Sequence, residues 1–208
     1  MRRTQIPRTA EVHTTSRYGA RRGAVLVWFV FVIPLMLMIL LALTDFSGAS
    51  LAKIELRNAS DAAALSAIKT WDRGDIVVAA SDAEAILMGN IQTSGILSRA
   101  VTESLARDDL SSTATVVTFG TLTTRNGVAS FTAGIDDLAL LSAGADTIDR
   151  QRCVLVQKTL HVPSIGGTWL GVSFGPYTVT TESFARISPH HHLPQLVFVD
   201  AVTMKARP

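Results

Sequence analysis

Hydrophobic and polar positions divide this chain into three stretches of different character. From Gly23 to Thr44 there are 22 consecutive residues without a charge, "GAVLVWFVFVIPLMLMILLALT". As a helix this run reaches roughly 33 Å, the thickness of a bilayer core, and it is apolar on every side, so it predicts a membrane span. Pro34 falls inside it and predicts a kink, which membrane helices tolerate because neighbouring groups re-satisfy the freed carbonyl. Past the run the helical period continues. Leu51, Ile54, Asn58, Ala62, Leu65 and Ile68 recur every three or four residues, flanked by Lys53, Glu55, Arg57, Asp61 and Lys69. One helix is therefore expected from about Gly23 to Trp71, apolar all round in its first half and amphipathic in its second. "DRGD" (72–75) ends it.

The next block, "SDAEAILMGNI", places Ser81 three residues before Glu84, the spacing of a capping box, and Gly89-Asn90 reads as a stop. A short second helix follows, while 96–110 is open between a third helix and an irregular connection. From Ser111 the composition turns to threonine and valine. "TATVVTFGTL" and "TTRNGVASFTA" predict two strands around Asn126-Gly127, a dipeptide that accepts the positive φ angles of a tight hairpin. "CVLVQKTLHV" (153–162) and "YTVTTESFARI" (177–187) read as further strands. The glycines and prolines of "PSIGGTWLGVSFGP" demand a loop between them. "LVFVDAV" (196–202) reads as an edge strand or a tail. The fold class is α+β, divided into a basic tail (1–22), a membrane helix (23–44), an amphipathic helical stalk (45–71), a head of short helices and antiparallel sheet (72–187) and a C-terminal tail or edge strand (188–208).

Charge orients this arrangement. Six of the nineteen basic residues (Arg2, Arg3, Arg8, Arg17, Arg21, Arg22) but one of the seventeen acids (Glu11) precede Gly23, which leaves the remainder with a net charge of −3. The positive-inside rule places that tail in the cytoplasm and the head outside. The overall pI near 9.0 is a property of the tail and no sign of nucleic-acid binding, which needs a basic patch on the folded domain. The lipid bilayer is the partner that the span and the arginines imply. The single cysteine, Cys153, excludes an internal disulfide and sits in an apolar strand-like run, as a buried structural thiol would.

The arginine pair and glycine of "RRGAV", Pro34, Asp45 and "LAKIELRNASDAAALSA" resemble the N-terminal segment of TadE/TadG-like proteins of the Tad (Flp-type) pilus-assembly system. Leu56, Asn58, Ala59, Asp61, Ala62, Ala63, Ala64 and Leu65 match the family's post-membrane pattern, and Arg57, Ser60 and Ser66 depart from it. "VVTFGTL", "SFTAG", "RCVLVQKTLHVPSIGGTWLG" and "VTTESFARI" are similar to its strand regions more loosely. The resemblance implies a pilin-like, membrane-anchored accessory protein of the bacterial inner membrane with a periplasmic head. It would act by assembly with other pilus-assembly proteins or pseudopilins, not by catalysis, with no cofactor and no small-molecule substrate. Pilin-type precursors are cut after a glycine and carry glutamate at the fifth mature position. Were the cut between Gly23 and Ala24, Trp28 would hold that place, so the resemblance favours a TadG-like protein that keeps its tail over a processed TadE-like minor pseudopilin.

The expected assembly face comprises Leu56, Asn58, Ala59, Asp61, Ala62, Ala63 and Ser66. Its small residues let another helix approach closely, and Asn58 and Asp61 can hydrogen-bond across. The same small face could instead pack on the protein's own head. No other stretch makes a stronger site. "DFSGAS" (45–50) is similar to the Asp-x-Ser-x-Ser metal motif of von Willebrand A domains, but Ser50 comes one residue late. His190, His191 and His192 are adjacent and lack the spacing of a metal site. A nucleophile elbow, phosphate loop, HExxH helix or cysteine pair is absent. His161, Asp149 and Ser164 are what a membrane-tethered periplasmic hydrolase or sensor, the rival reading, would have to use.

Overall fold

The computed structural model describes residues 18–106, 115–134, 150–164 and 176–203. The chain divides into two units, Met1–Leu41 and Ala42–Pro208. The described part of the first is helical, and its apolar side chains from Val25 to Leu40 are largely exposed. The second is α+β. Its elements are the helices α1 (Tyr18–Asp72, shared with the first unit), α2 (Ile76–Thr93) and α3 (Gly95–Ala106), and the strands β1 (Thr115–Arg125), β2 (Val128–Ala133), β3 (Arg150–Val162), β4 (Tyr177–Ile187), β5 (Pro194–Val197) and β6 (Ala201–Thr203). The single long helix expected across the span and beyond is present, and it continues through Pro34. Residues 45–71 of α1, expected as a stalk, belong to the same unit as the shorter helices and the sheet, and Ala52, Leu56, Ala59 and Ala63 contribute to its core.

Local chemistry sets the helix ends. Gly74, at φ 105°, closes α1 with its amide bonded to the Trp71 carbonyl at 2.8 Å, a backbone geometry that glycine adopts without strain. Asp75 then caps α2, its carboxylate accepting from the Val78 amide at 3.0 Å. This corrects the expected start at Ser81: Asp75 lies one residue before an apolar run that already follows the helical period, so the helix begins a turn and a half earlier. It also passes through Gly89-Asn90, where the Asn90 side chain donates to the Ile86 carbonyl at 2.9 Å, and ends at Ser94. Ser94 both terminates α2 and caps α3 through the Leu97 amide at 3.1 Å. Of the ambiguous stretch 96–110, the described residues are helical.

The sheet order is β5-β4-β3-β1-β2-β6. Asn126 and Gly127, at φ 54° and 80°, make the two-residue turn of the β1–β2 hairpin. The sheet is mixed, not purely antiparallel, because β6 pairs parallel to β2. β5 and β6 occupy opposite edges, yet only residues 198–200 separate them. Four residues of extended chain reach about 14 Å, whereas five strand spacings in a flat sheet would take roughly 24 Å. The sheet must curl until the C-terminal segment bridges both edges. The register shows the accompanying stagger: Val197 lies level with Leu155 through Phe184, while Ala201 lies level with Arg150 through Ser130 and Thr123.

Curling gives the sheet two apolar faces. Leu122, Phe131, Cys153, Leu155 and Phe184 fill the inner one, with the Phe131 and Phe184 rings edge to face at 5.4 Å. Val154, Val156, Leu160, Val162, Val179 and Ala185 meet the helices on the other. This explains why β3 is buried at every position from Gln151 to Val156. Burial pushes the Cys153 thiol up to about 12 and leaves it an inert core group.

Lys158 is buried among the residues that face the helices, within 3.2 Å of the Thr115 hydroxyl. Desolvation lowers its pKa from 10.5 to about 8, and the Glu84 carboxylate offsets part of that shift. Between those two values the unfolded chain binds more protons than the folded one, so this group makes stability rise with pH from about 8 to 10.5. Urea midpoints should therefore rise from about pH 8 to 9; above that the Cys153 thiol, which stays protonated in the fold while the unfolded chain loses its proton, opposes the trend, and Lys158→Met should remove the rise.

Candidate assembly interface

The expected assembly face is split by the fold. Leu56, Ala59 and Ala63 are buried in the head's own core together with Ala52, Ala64 and Ala67. Ala62 and Ser66 are half-buried and Asn58 is exposed. Small side chains at Ala59, Ala63 and Ala67 let α1 come close to the sheet, and hydroxyls use that proximity. Ser60 Oγ lies 2.9 Å from Thr181 Oγ1, and Ser183 donates to Asp61 at 2.6 Å. Ser60 departs from the family pattern, and its hydroxyl makes one of these two bonds to β4.

Further polar pairs fix α2 and the far end of α1. Thr70 donates to Asp82 at 2.8 Å, and Ser94 donates to Glu55, so α2 runs back along α1. The Arg152 guanidinium on β3 meets Asp72 at 2.6 Å and lies over the Trp71 ring, 5.7 Å from its centre. Trp71 in turn stands edge-on to Phe119 at 5.2 Å. None of these partners was legible in the sequence, because each joins positions separated by at least twelve residues.

Burial of Ala63 decides what a larger residue there would do. Ala63→Leu should overfill the helix–sheet contact and cost about 1–3 kcal/mol. A lowered unfolding midpoint of the detergent-solubilised chain, with faster proteolysis of the head in membranes, is the expected result.

Beside this helix, a shallow groove of about 190 Å³ runs between α1 and the β4–β5 edge, lined by Arg57, Asp61, Glu182, Leu196 and Phe198. Its walls combine both charges with apolar side chains, and Phe198 is almost fully exposed. This surface suits a protein contact better than a small molecule.

The remaining candidates are dispersed. Asp45 is buried and accepts from the Ser164 hydroxyl, Ser47 bonds back to the Leu43 carbonyl at 2.8 Å, and Ser50 is exposed, so the three side chains of "DFSGAS" do not converge. His190, His191 and His192 lie exposed in the turn after β4, and among the described residues no group of three His, Cys, Asp or Glu side chains could hold a metal. His161 Nδ1 pairs with Thr178 Oγ1 at 3.0 Å on β4, and Asp149 lies outside the described residues. Gly23 and Ala24 lie within α1.

Among the described residues one helix, from Val25 to Asp72, is long and apolar enough to cross a membrane. No curated protein and no solved structure matches the chain. Residues 23–82, which take in that helix and the start of α2 and stop short of the sheet, match the Tad family model, described as Flp pilus-assembly TadE/G-like, as the resemblance of the N-terminal segment implied.

Proposed function

We propose that this chain is a membrane-anchored accessory protein of Tad pilus assembly. It is TadG-like in that it stays in the inner membrane with residues 1–23 attached, its N-terminus cytoplasmic and its head periplasmic. It acts by contact, not catalysis. The observation that carries this reading is the family match over residues 23–82, because it covers both the candidate span and the helix around which the head is built. The arginine bias before Gly23 supports the orientation, and Trp28 at the fifth place after Gly23 supports retention of the tail. Of the expected assembly face, Asn58, Ala62 and Ser66 are the members a partner helix could reach, at four-residue spacing along α1. Leu56, Ala59 and Ala63 support them from behind, and Asp61 is held by Ser183.

A reporter enzyme active only outside the cytoplasm, fused after Pro208, should be active, and intact mass of membrane-extracted protein should include Met1. Deleting the gene should reduce surface pili. An inactive reporter overturns the topology, and unchanged piliation overturns the assembly role. A dominant species beginning at Ala24 replaces the accessory reading with a processed minor pseudopilin.

A further inference from the structure

Between Val25 and Ala52 the only ionisable side chain is Asp45, and in the sequence it closes the uncharged run. In the fold it does not stand on the helix surface. It is 3% exposed and accepts a hydrogen bond from Ser164, just beyond the end of β3. The surface that α1 leaves uncovered therefore carries no charge until Lys53. That surface is apolar well past Thr44: Phe46, Leu51 and Ile54 are 68%, 46% and 58% exposed, while Ala52 and Leu56 on the opposite side are buried in the head.

We propose that the lipid boundary continues along the outer side of α1 as far as Ile54, so that Phe46, Leu51 and Ile54 lie in the interfacial layer of the bilayer and the region holding Asp45 rests against the membrane surface. This rests on the membrane-anchored reading and adds where the membrane ends. The 28 residues from Val25 to Ala52 rise roughly 42 Å, more than the hydrocarbon core of about 30 Å but equal to the 40–45 Å that includes both headgroup regions. Lys53 and Arg57, both exposed, are the first cations after the run, and their long stems let the charged ends reach lipid phosphates. A carboxylate facing lipid at the depth of Asp45 would be costly, and the Ser164 hydroxyl gives it a hydrogen-bond partner inside the head instead. Continuity with the span selects lipid as the occupant over a partner protein.

The full chain, reconstituted alone and at high dilution in phosphatidylethanolamine–phosphatidylglycerol liposomes, tests this. The native Cys153 is buried, so a nitroxide can be placed selectively through Leu51→Cys, Ile54→Cys or Lys69→Cys. Relative accessibility to dissolved oxygen over a water-soluble nickel chelate should be several-fold higher at positions 51 and 54 than at 69. Equal chelate access at all three overturns the proposal. Dipolar broadening between labels at 51 or 54 would assign the surface to a second copy, and protection that arises only when other pilus-assembly proteins are added would assign it to a partner; either also overturns it. With lipid as the sole component, such failures leave the assembly role untouched, which piliation measures separately.

Discussion

Trp71→Ala should lower stability by about 3–5 kcal/mol, the range for truncating a fully buried aromatic. Trp71 is the last large residue of α1 before the turn. Its ring contacts Phe119 edge-on from β1, and the Arg152 guanidinium from β3 lies over its face. One side chain therefore couples the end of the central helix to two neighbouring strands. Removing it leaves a cavity and takes the aromatic face from a buried cation whose carboxylate partner, Asp72, is the adjacent residue. Trp71→Phe keeps the apolar ring and discards the indole N–H, which has no hydrogen-bond partner among the described residues. The phenylalanine variant should recover most of the loss. Urea unfolding of the detergent-solubilised full chain, followed by far-ultraviolet circular dichroism, separates the two; equal destabilisation by both would show that the ring contacts contribute little.

Gly120→Ala should be nearly as damaging although it adds a single methyl group. A Cβ at position 120 would stand 2.2 Å from the Thr132 carbonyl oxygen and 2.8 Å from two carbons of the Phe131 ring. The ring can turn aside, but the carbonyl belongs to the adjacent strand and cannot. Gly120 pairs with Ala133 on one side and Cys153 on the other, so relief requires β1 and β2 to separate where the sheet curls over its inner core. The cost should reach or exceed the upper end of the roughly 1–3 kcal/mol typical of overpacking. Loss of the folded head by limited proteolysis, with membrane insertion of the span preserved, is the expected readout. A variant as stable as the parent would show that the hairpin and Phe131 adapt readily.

The contrast between Ala63 and Asn58 carries a related lesson for assembly. Both belong to the pattern shared with TadE/TadG-like proteins, but Ala63 is buried and Asn58 is exposed. Substitutions at Ala63 therefore test folding, and those at Asn58 test the proposed assembly contact. Experiments that treat the motif as one surface would mix the two effects.

Much of the fold was legible from local pattern. The uncharged run and the period after it specified one helix through to Trp71, since apolar residues every three or four positions need a single buried side. Asn126-Gly127 specified the hairpin, because both residues must take positive φ, and β4 appeared with the boundaries that its β-branched residues suggested. The family segment was readable for the same reason: span, flanks and polar alanine helix stand in fixed order within one continuous stretch. What the sequence could not supply was which distant residues meet. Charge alone ended the membrane run at Asp45, and only tertiary structure brings Ser164 across 119 positions to take that carboxylate off the helix surface. The small residues of α1 were equally suited to a partner helix or to the chain's own sheet, because close approach has the same side-chain requirement in both. Packing against Val154, Val156 and Ala185 decided for Leu56, Ala59 and Ala63. The C-terminal segment read as one edge strand or a tail; it became two strands on opposite edges because closing a curled sheet depends on the accumulated twist and stagger of all its strands, a property that no short stretch of sequence contains.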